Sequence, residues 1–168
     1  PTESDLKNIS TLITYIKNMQ LSENEINKIG NEQDIPLLEI YSAYCDEMKK
    51  QSLMDYDDQM VYALTMLKVS PQILEYFQEM YKYICVDEAQ DTSKIQHAII
   101  ALLASGSENL FMVGDEDQSI YGFRAAYPEA LLTFEKNYPD AKVLLMEENF
   151  RSDARIVLAA DRFIQKNT

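Results

Sequence analysis

What this chain lacks narrows its chemistry before anything present is considered. It has a single histidine, His97, so no histidine cluster or histidine-paired nucleophile can form. Its two cysteines, Cys45 and Cys85, match no metal-ligand spacing. Four glycines, Gly30, Gly106, Gly114 and Gly122, stand far apart, and none belongs to a phosphate-cradling G-x-x-x-x-G-K-[ST] loop. No apolar run approaches the ~20 residues of a transmembrane helix, and the polar start is not a signal peptide. Free thiols suit a reducing compartment, so the cytosol is the expected location. Positive charge is scarce as well. A net charge of −13 argues against a free-standing nucleic-acid-binding domain, which would need clustered Lys and Arg.

The 168 residues are enough for one domain with a real core, and 46% hydrophobic content is ordinary for a globular chain. The charge is unevenly spread. Residues 1–80 hold 6 basic and 14 acidic side chains, and residues 81–168 hold 9 and 14. All four arginines, Arg124, Arg151, Arg155 and Arg162, fall in the C-terminal part, where any anion chemistry is expected.

Residues 1–80 read as helical throughout. Leu6, Ile9, Leu12, Ile13 and Ile16 recur at helical spacing. Ser22 with Glu25 forms a capping box for a second helix that stops near Gly30. A third helix runs over 35–50, with Leu37, Leu38, Tyr41, Tyr44 and Met48 on one face. Asp55 or Asp57 caps a fourth with Met60, Val61, Leu64 and Leu67, and Pro71 opens a fifth through Met80. These stripes read as core faces.

From Tyr83 the texture changes to strand and helix in alternation. Tyr83–Val86 is a short apolar strand, expected to be buried with Cys85 as a small core residue. It ends abruptly at Asp87-Glu88. A helix follows over about 93–104, where His97 is structural or superficial. Leu110–Val113 makes a second strand, stopping at Gly114-Asp115. Pro128 opens a helix to about Tyr138, Lys142–Met146 makes a third strand, and Asp153 caps a final helix. Strand–crossover–strand units of this length favour a parallel sheet. Its carboxyl edge would then gather Asp87 and Glu88, Asp115 and Gln118, and Arg151. A metal-binding carboxylate, a second carboxylate, an amide and a guanidinium together suit phosphoryl transfer.

Three stretches carry a resemblance. Val86-Asp87-Glu88-Ala89-Gln90-Asp91-Thr92 resembles motif II, the Walker B element, of superfamily 1 helicases. The run from Val113 through Gln118, Tyr121 and Phe123 to Arg124 resembles their motif III, and Glu148-Asn149-Phe150-Arg151-Ser152 their motif IV. In this order and spacing they are similar to the UvrD/PcrA/Rep-type DNA helicases.

That resemblance implies an α/β fold: a partial RecA-like parallel sheet with flanking helices, preceded by an all-helical subdomain. Residues 1–53 would be a 1B-like subdomain, and residues 54–168 a partial 1A domain without its P-loop strand. It implies ATP and Mg²⁺ as cofactors, with Asp87 as metal ligand and Glu88 activating the attacking water. Gln118 would sense the γ-phosphate, Arg151 would contact it, and Asp115 would lie in the nucleotide site. Phe150 stands where the family usually stacks a tyrosine on adenine. Tyr121, Phe123 and Arg124 match positions that touch single-stranded DNA. Arg124 is followed by Ala125-Ala126 where the family commonly has Gly-Ala, a local departure in motif III. The missing P-loop, and a start at Pro1 without methionine, imply an internal piece of an ATP-dependent helicase acting on single-stranded and duplex DNA, with the piece inactive alone and binding DNA poorly. Two other classes compete: a non-catalytic regulatory or binding module, and a metal-dependent nuclease built on Asp87, Asp91, Asp115 and Asp117.

Overall fold

The computed structural model describes residues 2–115, 118, 126, 127 and 129–166. It divides into two units, Pro1–Leu131 and Leu132–Thr168.

Local chemistry starts most helices of the first unit. Helix α1 (Glu3–Met19) begins at Thr2, whose hydroxyl accepts from Asp5 N–H at 3.2 Å while the Asp5 carboxylate accepts from Thr2 N–H at 2.6 Å. The same reciprocal box, Ser22 with Glu25, opens α2 (Glu23–Glu32). Pro36 precedes α3 (Leu37–Lys50). Asp55, boxed with Asp58, opens α4 (Tyr56–Val69), and Pro71 occupies the first turn of α5 (Pro71–Met80). Each box satisfies N–H groups that the first helical turn leaves without partners. Helix α2 runs past Gly30 to Glu32. Gly30 is needed there for close approach, because a Cβ would lie 2.7 Å from the Ile35 carbonyl oxygen and 3.1 Å from Leu37 Cβ.

Leu12, Ile16, Ile26 and Leu37 bury together where α1, α2 and α3 meet, ringed by Ile9, Leu21, Ile29 and Tyr41 among others. Leu6, at the head of the α1 stripe, is exposed. Helix α1 also packs on α4 and on α6 (Lys94–Ala104), and α4, α5 and α6 pack on one another. No helix among the described residues is long and apolar enough to cross a membrane.

Strands β1 (Ile84–Val86) and β2 (Leu110–Met112) pair in parallel, with Ile84 opposite Leu110, Cys85 opposite Phe111 and Val86 opposite Met112. Helix α6 is the crossover between them. Alternate residues face opposite sides. Val86 is buried, while Cys85 and Phe111 on the other face are exposed. The expectation of a wholly buried β1 with Cys85 in the core is therefore corrected. Among the described residues the sheet has two strands and only one covered face.

Beyond residue 128 the structure departs further from the sequence expectation. The helix expected from Pro128 to Tyr138 is broken at Thr133 into α7 (Glu129–Leu132) and α8 (Phe134–Asn137); Pro128 itself lies outside the described residues. Lys142–Met146 forms no strand, and Val143, Leu144, Leu145 and Met146 are exposed. A strand exists only when a neighbour answers its backbone hydrogen bonds, and none among the described residues pairs with this run. Helix α9 (Ala154–Ile164) starts as expected at Asp153, whose carboxylate accepts from Arg155 N–H at 2.9 Å.

Candidate nucleotide-hydrolysis site

The carboxyl ends of β1 and β2 lie side by side because the strands are parallel and in register. Beyond Val86, Ala89 N–H donates to the Val113 carbonyl at 2.9 Å, so the two exits remain joined past the strands. Between these points the chain turns sharply at Glu88, which adopts the left-handed conformation with φ 49° and ψ 46°. Non-glycine residues seldom adopt it, because Cβ crowds the following carbonyl. A short 3₁₀ turn, Ala89–Asp91, follows, closed by Asp91 N–H to the Glu88 carbonyl at 2.9 Å. The turn lifts Asp87 and Glu88 into solvent while Ala89 and Gln90 are buried.

Asp87 Oδ1 accepts from Glu88 N–H at 3.0 Å. Glu88 Oε2 accepts from Gln90 Nε2 at 2.7 Å. The other end of the Gln90 amide, Oε1, accepts from Asp115 N–H at 3.1 Å. Asp115 Oδ2 in turn accepts from Gln118 Nε2 at 2.7 Å. Glu88, Asp115 and Gln118 are thus brought together, as expected of the sheet's carboxyl edge, and Gln90 is the link between the two strand exits. The sequence reading gave Gln90 no role. The available signal was an uncharged amide side chain lying between two acids, Glu88 and Asp91.

Ala126 and Tyr127 are tied to the same turn. Tyr127 N–H donates to the Thr92 carbonyl at 2.9 Å, and Ala126 bridges to Ser93. Thr92 Oγ1 donates to the Ala89 carbonyl at 2.7 Å and is hydrogen-bonded to His97 Nε2. Burial holds the His97 pKa below its ordinary value against the opposing influence of the nearby Ala89 backbone, consistent with a structural histidine. Tyr121, Phe123 and Arg124 lie outside the described residues, so their expected DNA contacts have no structural description.

Arg151 and Phe150 belong to the second unit. The Asn149 side chain accepts from the N–H groups of Arg151 (3.0 Å) and Ser152 (2.9 Å), folding a turn ahead of α9. Phe150 is 91% exposed on that turn, leaving its ring face open to stack. Among the described residues no three His, Cys, Asp or Glu side chains gather as a metal cluster; Asp117, one of the four carboxylates of the nuclease alternative, lies outside them. Asp91 Oδ1 is buried without a hydrogen-bond partner among the described residues.

Comparison with known proteins decides the lineage: residues 2–139 match the UvrD/REP helicase N-terminal domain. The chain belongs to that family. It is 37% identical over 169 residues to the ATP-dependent DNA helicase PcrA of Bacillus subtilis (strain 168), a match covering 100% of this chain and 23% of that protein. It is 42% identical over 129 residues to PcrA of Staphylococcus aureus (strain Mu50), covering 77% of this chain and 18% of that one. PcrA of Staphylococcus epidermidis is 36% identical over 160 residues, covering 95% and 22%. The chain therefore spans about a quarter or less of the curated relatives it matches. The stretches that resemble motifs II and III run from the joined exits of β1 and β2.

Proposed function

We propose that this chain is a segment of an ATP-dependent DNA helicase, a motor that couples ATP hydrolysis to movement along single-stranded DNA and to duplex unwinding. The observation that supports this most is the connected path from Glu88 through Gln90 and Asp115 to Gln118, which joins the two motifs in one polar network. Residues 54–168 would contribute to a RecA-like domain, and residues 1–53 to a helical 1B-like subdomain.

In this reading Glu88 takes a proton from the attacking water. Gln90 occupies Oε2, and Oε1 has no hydrogen bond among the described residues, so it can face that water. Gln118 reports the γ-phosphate and Arg151 offsets charge developing on it. Phe150 offers its face to adenine. Bound Mg²⁺ would supply charge neutralisation on the phosphates. Asp87 suits it: an exposed carboxylate, with one oxygen engaged among the described residues, matches an ion that keeps several waters. Tyr121 and Phe123 would stack on bases and Arg124 on the backbone of the DNA track.

The test is Glu88→Gln in the full-length protein. DNA-stimulated ATP turnover should fall by roughly 10²–10⁴-fold, the usual contribution of a general base, while Mg·ATP still binds. Undiminished turnover would refute the assignment and favour the regulatory-module reading. In a second arm, Phe123→Ala should weaken single-stranded DNA binding by roughly 1–3 kcal/mol and spare ATP binding.

A further inference from the structure

We propose that Gln90 is a positioning residue that sets the orientation of the Glu88 carboxylate and ties it to the segment bearing Gln118. The proposal rests on Glu88 being the base.

Partner chemistry fixes the direction of the Gln90 amide. A carboxylate can only accept and a backbone N–H can only donate. With Glu88 Oε2 on one side and Asp115 N–H on the other, only one orientation satisfies both, and it is the one observed, at 2.7 and 3.1 Å. The side chain has no room to swing away, because Gln90 is only 1% exposed. Gly114 completes the enclosure. A Cβ there would lie 2.8 Å from Gln90 Oε1 and 2.7 Å from Leu131 Cδ1, so the glycine makes space for the amide.

Backbone and side chain at Glu88 are therefore held through the same short stretch beyond β2, Val113–Asp115. Its backbone is followed at once by Ala89 N–H bound to Val113, and its carboxylate reaches Asp115 through Gln90. Asp115 also holds Gln118. A shift of Gln118 toward a bound phosphate would pull on Asp115, and the rigid amide of Gln90 would pass that shift to the Glu88 carboxylate. The base would then adopt its working orientation only when Gln118 is engaged, which limits futile hydrolysis by a motor between steps.

Two substitutions in the full-length protein test this beside Glu88→Gln. Gln90→Met keeps length and removes the hydrogen bonds to Glu88 and to Asp115 N–H. It should lower kcat for DNA-stimulated ATP hydrolysis about 10–100-fold, the scale of a modest misplacement of a reacting group, with KM for ATP within about twofold. Gln90→Asn keeps the amide but shortens its reach, so it should also lose kcat while KM for ATP holds. A purely structural role would lower the folded fraction and leave kcat per folded molecule unchanged. Should Gln90→Met fail to fold, Gln90→Asn alone decides. Unchanged kcat per folded molecule, with Glu88→Gln inactive, would overturn the role of Gln90 and leave the base assignment standing. Full turnover by Glu88→Gln would remove both.

Discussion

Lys17 and Asp55 form an ion pair of 2.7 Å between α1 and the first turn of α4, with the lysine side chain only 2% exposed. Asp58 closes the other side of the ammonium at 2.6 Å, and the Tyr44 ring centroid lies 5.0 Å from it. Tyr44 OH donates to Asp55 Oδ2 at 2.6 Å, and Asp58 N–H donates to Asp55 Oδ1 at 2.7 Å. The charge is buried but fully answered, so its removal is costly even where its presence adds little.

Lys17→Met should therefore destabilise the 168-residue chain by about 3–5 kcal/mol, the usual cost of breaking a buried pair from one side. It leaves two carboxylates facing each other without a cation. Adding Asp55→Asn and Asp58→Asn to Lys17→Met should recover part of the loss. Urea unfolding followed by circular dichroism measures both, and a loss below about 1 kcal/mol would show that water reaches the pair.

The same cluster predicts a stability plateau with two edges. Burial alone would raise the Asp55 pKa, but hydrogen bonds from Lys17, Tyr44 and Asp58 N–H hold it below the ordinary value. A lowered acid contributes stability above its unfolded pKa, so that part is lost as pH falls below about 4. For Lys17, burial pulls the pKa down, but Asp55 and Asp58 outweigh it and raise it. A raised base contributes fully below its unfolded value, so that part is lost as pH climbs past about 10.4. Tyr44, pushed up to about 12 chiefly by its hydrogen bond to Asp55, loses its contribution in the same alkaline range. Melting temperatures across pH should fall at both edges, and Asp55→Asn should flatten the acid edge relative to the parent chain.

Gly30→Ala should destabilise the chain by about 1–3 kcal/mol through overpacking. Its new Cβ would meet a backbone carbonyl at 2.7 Å, and backbone cannot rotate away as a side-chain tip can. Gain of stability, as expected for Ala replacing Gly in an open helix, would show that the segment from Ile35 to Leu37 yields.

Thiol labelling reports the uncovered sheet face. Cys85 is exposed and Cys45 half-buried. In the 168-residue chain a disulfide reagent should modify Cys85 quickly and Cys45 more slowly, and Cys85→Ser should change stability little. Protection of Cys85 would mean that the Cys85–Phe111 face is covered in solution.

Much of this protein is legible locally. Ser22 with Glu25, Asp55 with Asp58, Pro71 and Asp153 each announce a helix start, because the groups that satisfy one another lie within three residues. The acids at the end of β1 and the resemblance of Val113–Arg124 to a helicase motif are readable for the same reason. Val143–Met146 shows where that stops: its apolar, β-rich composition suits a strand, yet strand formation depends on a partner the run itself does not contain. The exposed face of β1 follows the same rule, since burial depends on what is packed above it. Lys17 is one lysine among many in sequence, and only the approach of α4 and Tyr44 makes it a buried cation. Gln90 became a link between Glu88 and Asp115 because parallel pairing set two strand exits 25 residues apart side by side. Sequence by itself determined most of the caps and the order of the elements as far as β2, whose local interactions are short-range along the chain. Tertiary structure decided which of those residues touch, because a hydrogen bond between distant residues exists only after the fold has brought its two ends within about 3 Å.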